Sequence, residues 1–528
     1  MTTDHHNVHV LLTGVSLPAC CSPERSPSDA HCPSPSPPSR LLLVQVLRIN
    51  SRAGLSYVSW KCTSSSPHSS ALKPEKLHSQ WIPQRHVALV HPATPSSNEA
   101  LGRGPHDAKF EVDNPRVELW SSKSGTIGRF TVAKQCIRPG EKALQATAFA
   151  VIVRQSLAPR RCHWCFAVLR QKALQCGDCE FARYCSRNCL AADAPLHDFQ
   201  CLPLRELKRR GNRAGVEDVE TVRLVLAVLN MELFLRNPHA LELLVVHRHR
   251  DSEEKAEMRR AVSFIVEMTG RVVDPKHVQA TLERVRCNAH PLYLDGVTCV
   301  GTGVFPEAAM ALNHSCLPNV VPSFDPRARS LAFHAVIEIP HGVAVECAYI
   351  DLLQARTRRQ SLLAGGFGFD CICGRCTNEV VALQTKRSPV ADYEDKELAM
   401  ETRVMEQLMV LASSKARDTK QRIAFLRKEY EDVFERSDEA QFALYTTEMQ
   451  LARANGDWRY VVETAEMLLE IWARCGLPAC YHTTETLHLQ LCMAATQAEM
   501  TEKARASSEQ VVRIRRICGY PQPDTLVN

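Results

Sequence analysis

The sequence predicts an α+β protein, in which a β-rich part is interrupted by a cysteine-rich insert and by helices and is followed by an all-α C-terminal domain. Three observations support this fold class. Short β-like runs separated by turns begin near residue 112 and return over 287–350, with a cysteine-dense block between them. Apolar residues recur at intervals of three and four over 217–285 and again after residue 390, which is the period of amphipathic helices.

The composition of the 528-residue chain is that of an ordinary globular protein, long enough for roughly two to four domains. Its 64 basic and 58 acidic residues give a net charge of +6, which is too dilute to predict a nucleic-acid surface. No helix with base-reading spacing follows the cysteine pairs, so sequence-specific DNA binding is not expected. The apolar run at 41–47 falls far short of the roughly 20 residues that cross a bilayer, so no membrane association is expected.

Residues 1–110 are predicted to form a disordered N-terminal extension. The segment is rich in Ser, Pro and His, as in CSPERSPSDAHCPSPSPPSR at 21–40, and has too little regular apolar pattern to offset the entropy of ordering. The start of the chain lacks a basic region, so a secretory signal is not expected. A transit peptide is a competing interpretation, because acidic residues are sparse there.

The β-rich part is predicted to begin with residues 112–160, where RFTVAKQCIRPGEKALQATAFAVIV contains β-like runs and a turn at RPGE. Residues 162–201 then hold eight candidate metal ligands with the spacing C-x2-C-x10-C-x2-C-x5-C-x3-C-x7-H-x3-C. They are Cys162, Cys165, Cys176, Cys179, Cys185, Cys189, His197 and Cys201. Eight ligands are the number that two tetrahedral zinc ions require. In a chain with 23 cysteines for which a secretory signal is not expected, metal binding is favoured over disulfides or free buried cysteines.

Helices and further strands are predicted beyond this block. Residues 202–286 form a helical insert, judged by the period of VETVRLVLAVLNMELFLR. Strands and turns return over 287–355, and Gly301 and Gly303 are expected at turns. Residues 390–528 are predicted to be helical, and LARANGDWRYVVETAEMLLEIWARC resembles one arm of a helix-pair repeat that breaks at Gly-Asp.

A second cysteine group lies within residues 356–385. Its thiolates, in FGFDCICGRC, are Cys371, Cys373 and Cys376. A tetrahedral site needs a fourth ligand from elsewhere, for which Cys316 in ALNHSCLPNV is the candidate. Cys316 and His314 are also close enough in sequence to suggest a nucleophile and its base. That alternative is disfavoured, because no third group that would orient His314 is evident and a metal-bound thiolate is not free to attack.

Several motifs resemble those of a known family. The cysteine block at 162–201 resembles a MYND finger. The segments NHSCLPN (313–319), ECAYIDLL (346–353) and FDCICGRC (369–376) resemble the central and post-SET motifs of SET-domain lysine methyltransferases. A MYND finger inside a split SET domain, followed by a helical tail, is the arrangement of the SET and MYND domain (SMYD) family. The resemblance covers about 115–380 and implies a β-rich split SET domain, a post-SET zinc site and a TPR-like C-terminal domain.

The resemblance also implies how the ligands are shared among three zinc ions. In the MYND finger the pairs would interleave, with one ion held by Cys162, Cys165, Cys185 and Cys189 and the other by Cys176, Cys179, His197 and Cys201. In the post-SET site the ligands would be Cys316, Cys371, Cys373 and Cys376. MYND fingers generally bind proline-containing peptides of partner proteins, so the resemblance implies a recognition role for this one.

By the same resemblance the protein would transfer a methyl group from S-adenosylmethionine to lysine of histone or non-histone proteins. Tyr349 matches the catalytic tyrosine, and Asn288 and Phe367 lie near the substrate pocket. The implied cofactor contacts are Gly128, Arg129, Asn313, His314, Tyr349, Phe367 and Phe369, with either His247 or His249 added from the helical insert. We expect a monomer located in the cytoplasm and the nucleus.

The sequence departs from the family pattern at the first SET motif, G-x-G-R-G, and before the post-SET cysteines. Thr126 and Phe130 stand at glycine positions, where they would crowd the chain if φ were positive. Phe367 stands where a tyrosine is usual, so a hydroxyl is missing beside the lysine channel. These departures leave open a function of another class, a catalytically weak scaffold that binds partner proteins, for example in transcriptional repression.

Overall fold

The structure is a computed structural model that describes the chain in segments. These are residues 7–12, 40–50, 55–62, 76–83, 87–90, 115–121, 129–170, 173–210, 216–247, 252–270, 272–294, 298–385, 390–413 and 419–521. For the five segments before residue 100 it describes the backbone alone. Within the described segments strands and helices are mixed up to residue 347, and only helices follow.

The strands come from both halves of the β-rich part, from the cysteine-rich insert and from the N-terminal extension. They are β1 (Asn7–Leu12), β2 (Arg40–Asn50), β3 (Leu55–Cys62), β4 (Lys76–Pro83), β5 (Val87–Val90), β6 (Val117–Ser121), β7 (Arg129–Ala133), β8 (Lys142–Thr147), β9 (Ala150–Val153), β10 (Leu174–Gln175), β11 (Arg183–Tyr184), β12 (Ala289–Tyr293), β13 (Cys299–Val304), β14 (Asn313–His314), β15 (Val320–Asp325), β16 (Ser330–Ala335) and β17 (Glu346–Cys347).

Most of the helices lie in the helical insert, around the second cysteine group and in the C-terminal domain. Helix α1 begins inside the cysteine-rich insert, and the short α5 lies in the second half of the β-rich part. They are α1 (Arg187–Arg210), α2 (Val219–Leu235), α3 (Ser252–Met268), α4 (Pro275–Asn288), α5 (Pro306–Ala311), α6 (Arg356–Phe367), α7 (Gly374–Thr385), α8 (Val390–Ser413), α9 (Thr419–Glu429), α10 (Glu431–Arg436), α11 (Asp438–Ala454), α12 (Trp458–Arg474), α13 (His482–Gln497) and α14 (Thr501–Cys518). No helix within the described segments has an apolar stretch long enough to span a membrane.

The N-terminal extension differs from the disorder predicted over 1–110. Strands β1 to β5 form an antiparallel sheet in the order β4-β3-β2-β1-β5. Strand sequences such as RLLLVQVLRIN and LSYVSWKC contain β-branched and aromatic residues, which favour a pleated backbone. The disorder prediction averaged these short runs with the Ser/Pro-rich stretches around them, and those stretches lie outside the described residues.

Two three-stranded antiparallel sheets, β12-β13-β9 and β15-β16-β8, share one hydrophobic core. Leu292 and Val300 from the first sheet and Leu331 and Phe333 from the second are fully buried in it. Each such side chain contributes about 1.5–3 kcal/mol on burial. Strands that are far apart in the sequence, on both sides of the cysteine-rich insert, therefore fold around a single core.

The two glycines predicted at turns lie in the middle of strand β13 instead. A Cβ atom at Gly301 would lie 2.1 Å from the carbonyl oxygen of Ile152, and one at Gly303 would lie 2.4 Å from Cγ1 of Val151. The turn prediction was wrong because glycine here allows the close approach of β9 rather than an unusual φ angle.

The predicted RPGE turn is confirmed, since Gly140 has φ +89° and the Glu141 amide donates to the Arg138 carbonyl.

The helical insert packs on the β-rich core. Asp218 caps α2 by accepting the Thr221 amide at 2.9 Å, as an N-cap aspartate does. The buried face of α2, including Leu226, joins Ile152 of β9 in one apolar cluster. The insert is thereby fixed to the same strand that the glycines of β13 approach.

The C-terminal helices form a separate set of apolar clusters and also pack on the core. The break predicted at Gly-Asp is confirmed, because Gly456, with φ +73°, separates α11 from α12 and Asp457 caps the second helix. Trp472 of α12 and Tyr520, which follows α14, share a buried cluster with Leu352, a residue of the segment that follows β17. The helical domain therefore supports a part of the core that lies near the candidate site.

Candidate functional site

The eight ligands of the cysteine-rich insert form two groups of four. The first is Cys162, Cys165, Cys185 and Cys189, and the second is Cys176, Cys179, His197 and Cys201. Within each group the ligand atoms lie within 4.8 Å of one another. The short hairpin β10–β11 and the start of α1 bring the later ligands back to the earlier ones, so the grouping is the interleaved one that the resemblance implies.

The spacing of the ligand atoms fits tetrahedral zinc. The Cys185 sulfur lies 3.5 Å from those of Cys165 and Cys189, and the Cys176 and Cys201 sulfurs are 3.7 Å apart. Because zinc–sulfur bonds are about 2.3 Å long, sulfurs on one tetrahedral zinc ion are roughly 3.8 Å apart. Donor type and distances therefore both fit zinc in the insert.

A third group of four cysteines closes the set that the sequence left incomplete. We call it the C-terminal cysteine site, and it consists of Cys316, Cys371, Cys373 and Cys376. The Cys316 sulfur lies 4.0 Å from that of Cys371 and 3.6 Å from that of Cys376. Cys316 is fully buried, so its sulfur is not open to a substrate as a nucleophile would have to be.

The loop that carries Cys316 is attached to the segment that carries Tyr349. Strand β14 pairs in parallel with β17, and the Ser315 amide donates to the Cys347 carbonyl at 2.9 Å. The Asn319 amide donates to the Glu346 carbonyl, and the Asn319 side-chain oxygen accepts the Glu346 amide at 2.9 Å. These bonds place the cysteine site and Tyr349 next to each other.

His314 lies between Tyr349 and the C-terminal cysteine site, and both of its ring nitrogens make contacts. Its Nδ1 accepts the backbone N–H of Tyr349 at 3.0 Å, and its Nε2 lies 3.3 Å from the Cys316 sulfur. Burial lowers the pKa of His314 to about 4. The imidazole therefore has no ring nitrogen left to take a proton from a substrate and is a weak base, neither of which suits a general base.

Aromatic rings surround this histidine. The Tyr349 ring centroid lies 5.0 Å from that of Phe367 and 5.4 Å from that of His314, and Phe369 lies 6.3 Å from His314. The Tyr349 hydroxyl donates to the Leu312 carbonyl. Burial, followed by the nearby Cys347 and Glu346, raises the pKa of Tyr349 well above its ordinary value near 10. The hydroxyl therefore stays protonated, and its oxygen keeps lone pairs that can accept a further contact.

The first predicted cofactor segment is described only in part. Gly128 and Thr126 lie outside the described residues. The guanidinium of Arg129 donates to the Leu243 carbonyl at 2.8 Å, and the Arg129 carbonyl accepts the Asn313 side-chain amide at 2.7 Å. Phe130 lies in β7 and is not among the residues with positive φ, so the expected crowding by a phenylalanine at this position does not arise.

Residues of the helical insert complete the surroundings. The Asn288 side-chain amide donates to the Val245 and Arg284 carbonyls, both at 2.8 Å. Its amide hydrogens therefore bond to the backbone of the helical insert. His247 packs against Gly368, where a Cβ atom would lie 2.4 Å from its Nδ1. Of the two histidines left open by the sequence, His247 thus lies against Gly368, the residue after Phe367, whereas His249 is outside the described residues.

Two neighbours of the site were missed at the sequence level. Arg359 is 1% exposed and donates to the Cys376 sulfur at 3.7 Å, which places a positive charge beside the thiols. The Cys287 sulfur accepts the His247 amide and contacts the Gly366 carbonyl. Arg359 belongs to no recognisable spacing pattern, whereas Cys287 directly precedes Asn288, which the resemblance places near the substrate pocket.

Comparisons with known proteins agree with this organisation. A family model of the MYND finger matches residues 162–201. The chain is similar to the N-lysine methyltransferase SMYD2 of Bos taurus and of Homo sapiens, with 27% identity over 263 residues in each case. These matches cover 48% of this chain and 58% of each relative. The N-lysine methyltransferase SMYD2-B of Danio rerio is 28% identical over 274 residues, which cover 50% of this chain and 61% of that protein.

Among solved structures, the SET domain of LSMT bound to lysine and AdoHcy aligns with 76% of this chain and 86% of its own length. The sequence identity is 12% and the TM-score is 0.23, and a score this low supports no conclusion about the fold. The chain is thus similar over about half its length to N-lysine methyltransferases, and it contains a segment that matches the MYND finger.

Proposed function

We propose that this protein is a protein-lysine N-methyltransferase that uses S-adenosylmethionine and acts on histone or non-histone proteins. The observation that carries the proposal is the half-buried Tyr349 side chain, whose hydroxyl donates to the Leu312 carbonyl, whose pKa is raised, and whose ring lies against Phe367 in a cluster that includes Phe369. Similarity to N-lysine methyltransferases over half the chain supports the same activity. In this proposal Gly128, Arg129, Asn313, His314 and either His247 or His249 add cofactor contacts, and Asn288 borders the substrate pocket.

The residues fit a reaction that depends on alignment and desolvation. S-adenosylmethionine supplies an electrophilic methyl group on a positively charged sulfur. Apolar rings around a substrate lysine disfavour its charged form and so lower its pKa from about 10.4, which releases the neutral amine. Because the Tyr349 proton is directed to the Leu312 carbonyl, its oxygen lone pairs can accept the polarised C–H groups or the amine. Tyr349 thus orients the reacting groups rather than taking a proton from the lysine.

We also infer that three zinc ions stabilise the protein. The finger ligands would hold two ions and the C-terminal cysteine site one, in the groups given above. A finger of about 40 residues has too little core to fold unaided, so the metals would supply its folding energy. We assign the C-terminal cysteine site to a post-SET element and the helices after residue 390 to a TPR-like domain that forms one wall of the substrate cleft.

The finger suggests that the protein also binds other proteins. We propose that its ligands are proline-containing peptides, that the protein is a monomer, and that it is located in both cytoplasm and nucleus.

A catalytically weak scaffold is the second candidate. Phe367 supports it, because the ring lies 5.0 Å from Tyr349 without the hydroxyl that a tyrosine would add. In that case the finger and the helical domain would carry the function and the aromatic site would be a remnant.

Isothermal titration of the full chain with S-adenosylmethionine separates the two candidates. The methyltransferase proposal predicts one binding site per chain, with S-adenosylhomocysteine competing for it. Absence of any measurable heat for either compound, from a protein that still holds its zinc, contradicts the enzyme and favours the scaffold. The measurement does not depend on knowing the protein substrate.

A further inference from the structure

We infer that the imidazole of His314 is a positioning residue that couples the C-terminal cysteine site to the backbone of Tyr349. The consequence for catalysis rests on the proposed function, whereas the coupling itself can be measured on the free protein. The inference assigns the His314 side chain a mechanical role in addition to the cofactor contact proposed above for this residue. It also gives the cysteine site a task beyond holding its own loop together.

The hydrogen bonds define which ring nitrogen carries the proton. The Tyr349 N–H donates to Nδ1 at 3.0 Å, so Nδ1 must be unprotonated. A neutral imidazole then carries its hydrogen on Nε2, which lies 3.3 Å from the Cys316 sulfur. His314 therefore accepts from the Tyr349 backbone and donates to Cys316 with one tautomer.

The sulfur is a better acceptor when the site is metallated. A zinc-bound cysteine is a thiolate, and a hydrogen bond to an ionised acceptor is roughly twice as strong as one between neutral groups. Arg359 donates to the Cys376 sulfur at 3.7 Å and adds a positive charge at the same site. A zinc ion held by these four cysteines would therefore strengthen the His314–Cys316 hydrogen bond, and its removal would weaken that bond.

Packing prevents the ring from moving freely. His314 is 6% exposed, and the rings of Tyr349 and Phe369 lie against it at 5.4 and 6.3 Å. In the described residues the Tyr349 amide is bonded to this imidazole rather than to a strand partner, because β17 ends at Cys347. The position of Tyr349 along its segment thus depends on a side chain that the cysteine site holds.

Three substitutions at one position separate the contributions. His314→Phe keeps a ring but removes both hydrogen bonds. His314→Asn keeps an acceptor near the place of Nδ1, and His314→Gln keeps a donor near the place of Nε2. His488→Phe is the control, since it replaces a half-buried histidine of α13 whose Nδ1 has no hydrogen-bond partner.

The first readout is hydrogen exchange of the peptide that contains Tyr349, measured with the zinc content of each variant. We expect His314→Phe to retain its zinc and to exchange the Tyr349 amide about tenfold faster, while His314→Asn restores part of the protection. Cys316→Ser should also raise exchange at Tyr349, whereas the finger variant Cys185→Ser should not. Unchanged exchange at Tyr349 in zinc-loaded His314→Phe overturns the coupling.

The second readout separates positioning from cofactor binding. We expect His314→Phe to lower kcat about tenfold while the Kd for S-adenosylmethionine changes less than about threefold. Faster exchange with an unchanged kcat overturns the positioning role in catalysis. If the wild type neither binds S-adenosylmethionine nor transfers methyl groups, the proposed function fails, but the exchange experiment still decides the coupling. Should His314→Phe not fold, the comparison of His314→Asn with His314→Gln decides it, because only the Asn variant is expected to protect Tyr349.

Discussion

At the scale of single residues, the Tyr349 hydroxyl is the group on which the proposed chemistry depends most. Tyr349→Phe keeps the ring contact with Phe367 and removes the bond to the Leu312 carbonyl. We expect kcat to fall about 100-fold, the size of effect seen when one preorganised polar group is removed from an active site. The Kd for S-adenosylmethionine should change less than about threefold. An unchanged kcat in steady-state assays would remove Tyr349 from the mechanism.

The raised pKa of Tyr349 gives a prediction for the pH dependence of the rate. The protonated hydroxyl is the active form, and a pKa that burial raises above its ordinary value near 10 keeps it protonated between pH 7 and pH 9. A free lysine loses its proton near pH 10.4 and a desolvated one at lower pH. We therefore expect kcat/KM to rise between pH 7 and pH 9 without a fall caused by Tyr349. A decline in that range that disappears in Tyr349→Phe contradicts the assignment.

Residue contacts also show where sequence reasoning succeeds. The cysteine spacings predicted eleven of the twelve metal-ligand candidates, and the resemblance of NHSCLPN to a SET motif supported Cys316 as the twelfth, because a tetrahedral site needs four donors. The contact of Arg359 with the Cys376 sulfur could not be predicted, because it depends on how two helices pack. Gly301 and Gly303 were assigned to turns in error, since composition does not distinguish a glycine that bends the chain from one that admits a neighbouring strand.

At the scale of structural elements, the C-terminal cysteine site should control local order. Serine is a poor zinc ligand, so Cys316→Ser should lower the zinc content by one ion per chain and increase proteolysis of the segment around Cys371–Cys376. Cys185→Ser is the matched control, because it should lose one ion from the finger and leave that segment protected. Mass spectrometry of native protein and limited digestion measure both effects. Equal zinc content in Cys316→Ser and wild type would show that the site holds no metal.

The elements of the N-terminal extension show a limit of composition arguments. Strand-forming runs of 4 to 11 residues lie within a segment whose overall composition is that of a disordered chain. Whether two such runs pair as strands depends on the register between them, and the content of Ser and Pro does not predict that register. In contrast, the helices after residue 390 were predictable, because their apolar period is sustained over many turns.

At the scale of the whole molecule, the C-terminal helical domain is joined to the core at Gly519. The Ser323 hydroxyl donates to the Gly519 carbonyl at 2.8 Å, and a Cβ atom at Gly519 would lie 2.0 Å from Cε1 of His334. Gly519 has φ +73° and Gly476 has φ +68°, but nothing lies within 4 Å of a Cβ atom at Gly476. The two glycines thus share a backbone conformation and differ in their surroundings.

This pair gives a stability prediction. Gly476→Ala should cost about 1 kcal/mol, which is the cost of a side chain at positive φ. Gly519→Ala should cost about 2–4 kcal/mol, because overpacking against the His334 ring adds to the same backbone cost. Chemical denaturation of the full chain measures both values. Equal losses for the two variants would show that the helical domain does not press on the core at this point.

The central claim for the whole molecule is that the chain transfers methyl groups to protein lysines through the Tyr349 site. Radiolabelled S-adenosylmethionine incubated with histones and with cell lysate, in the presence of wild type or Tyr349→Phe, tests it most directly. We predict that label enters lysine of at least one protein with the wild type and falls about 100-fold with the variant. No label from a zinc-loaded wild type that still binds proline-containing peptides, or equal label with both proteins, would contradict the account.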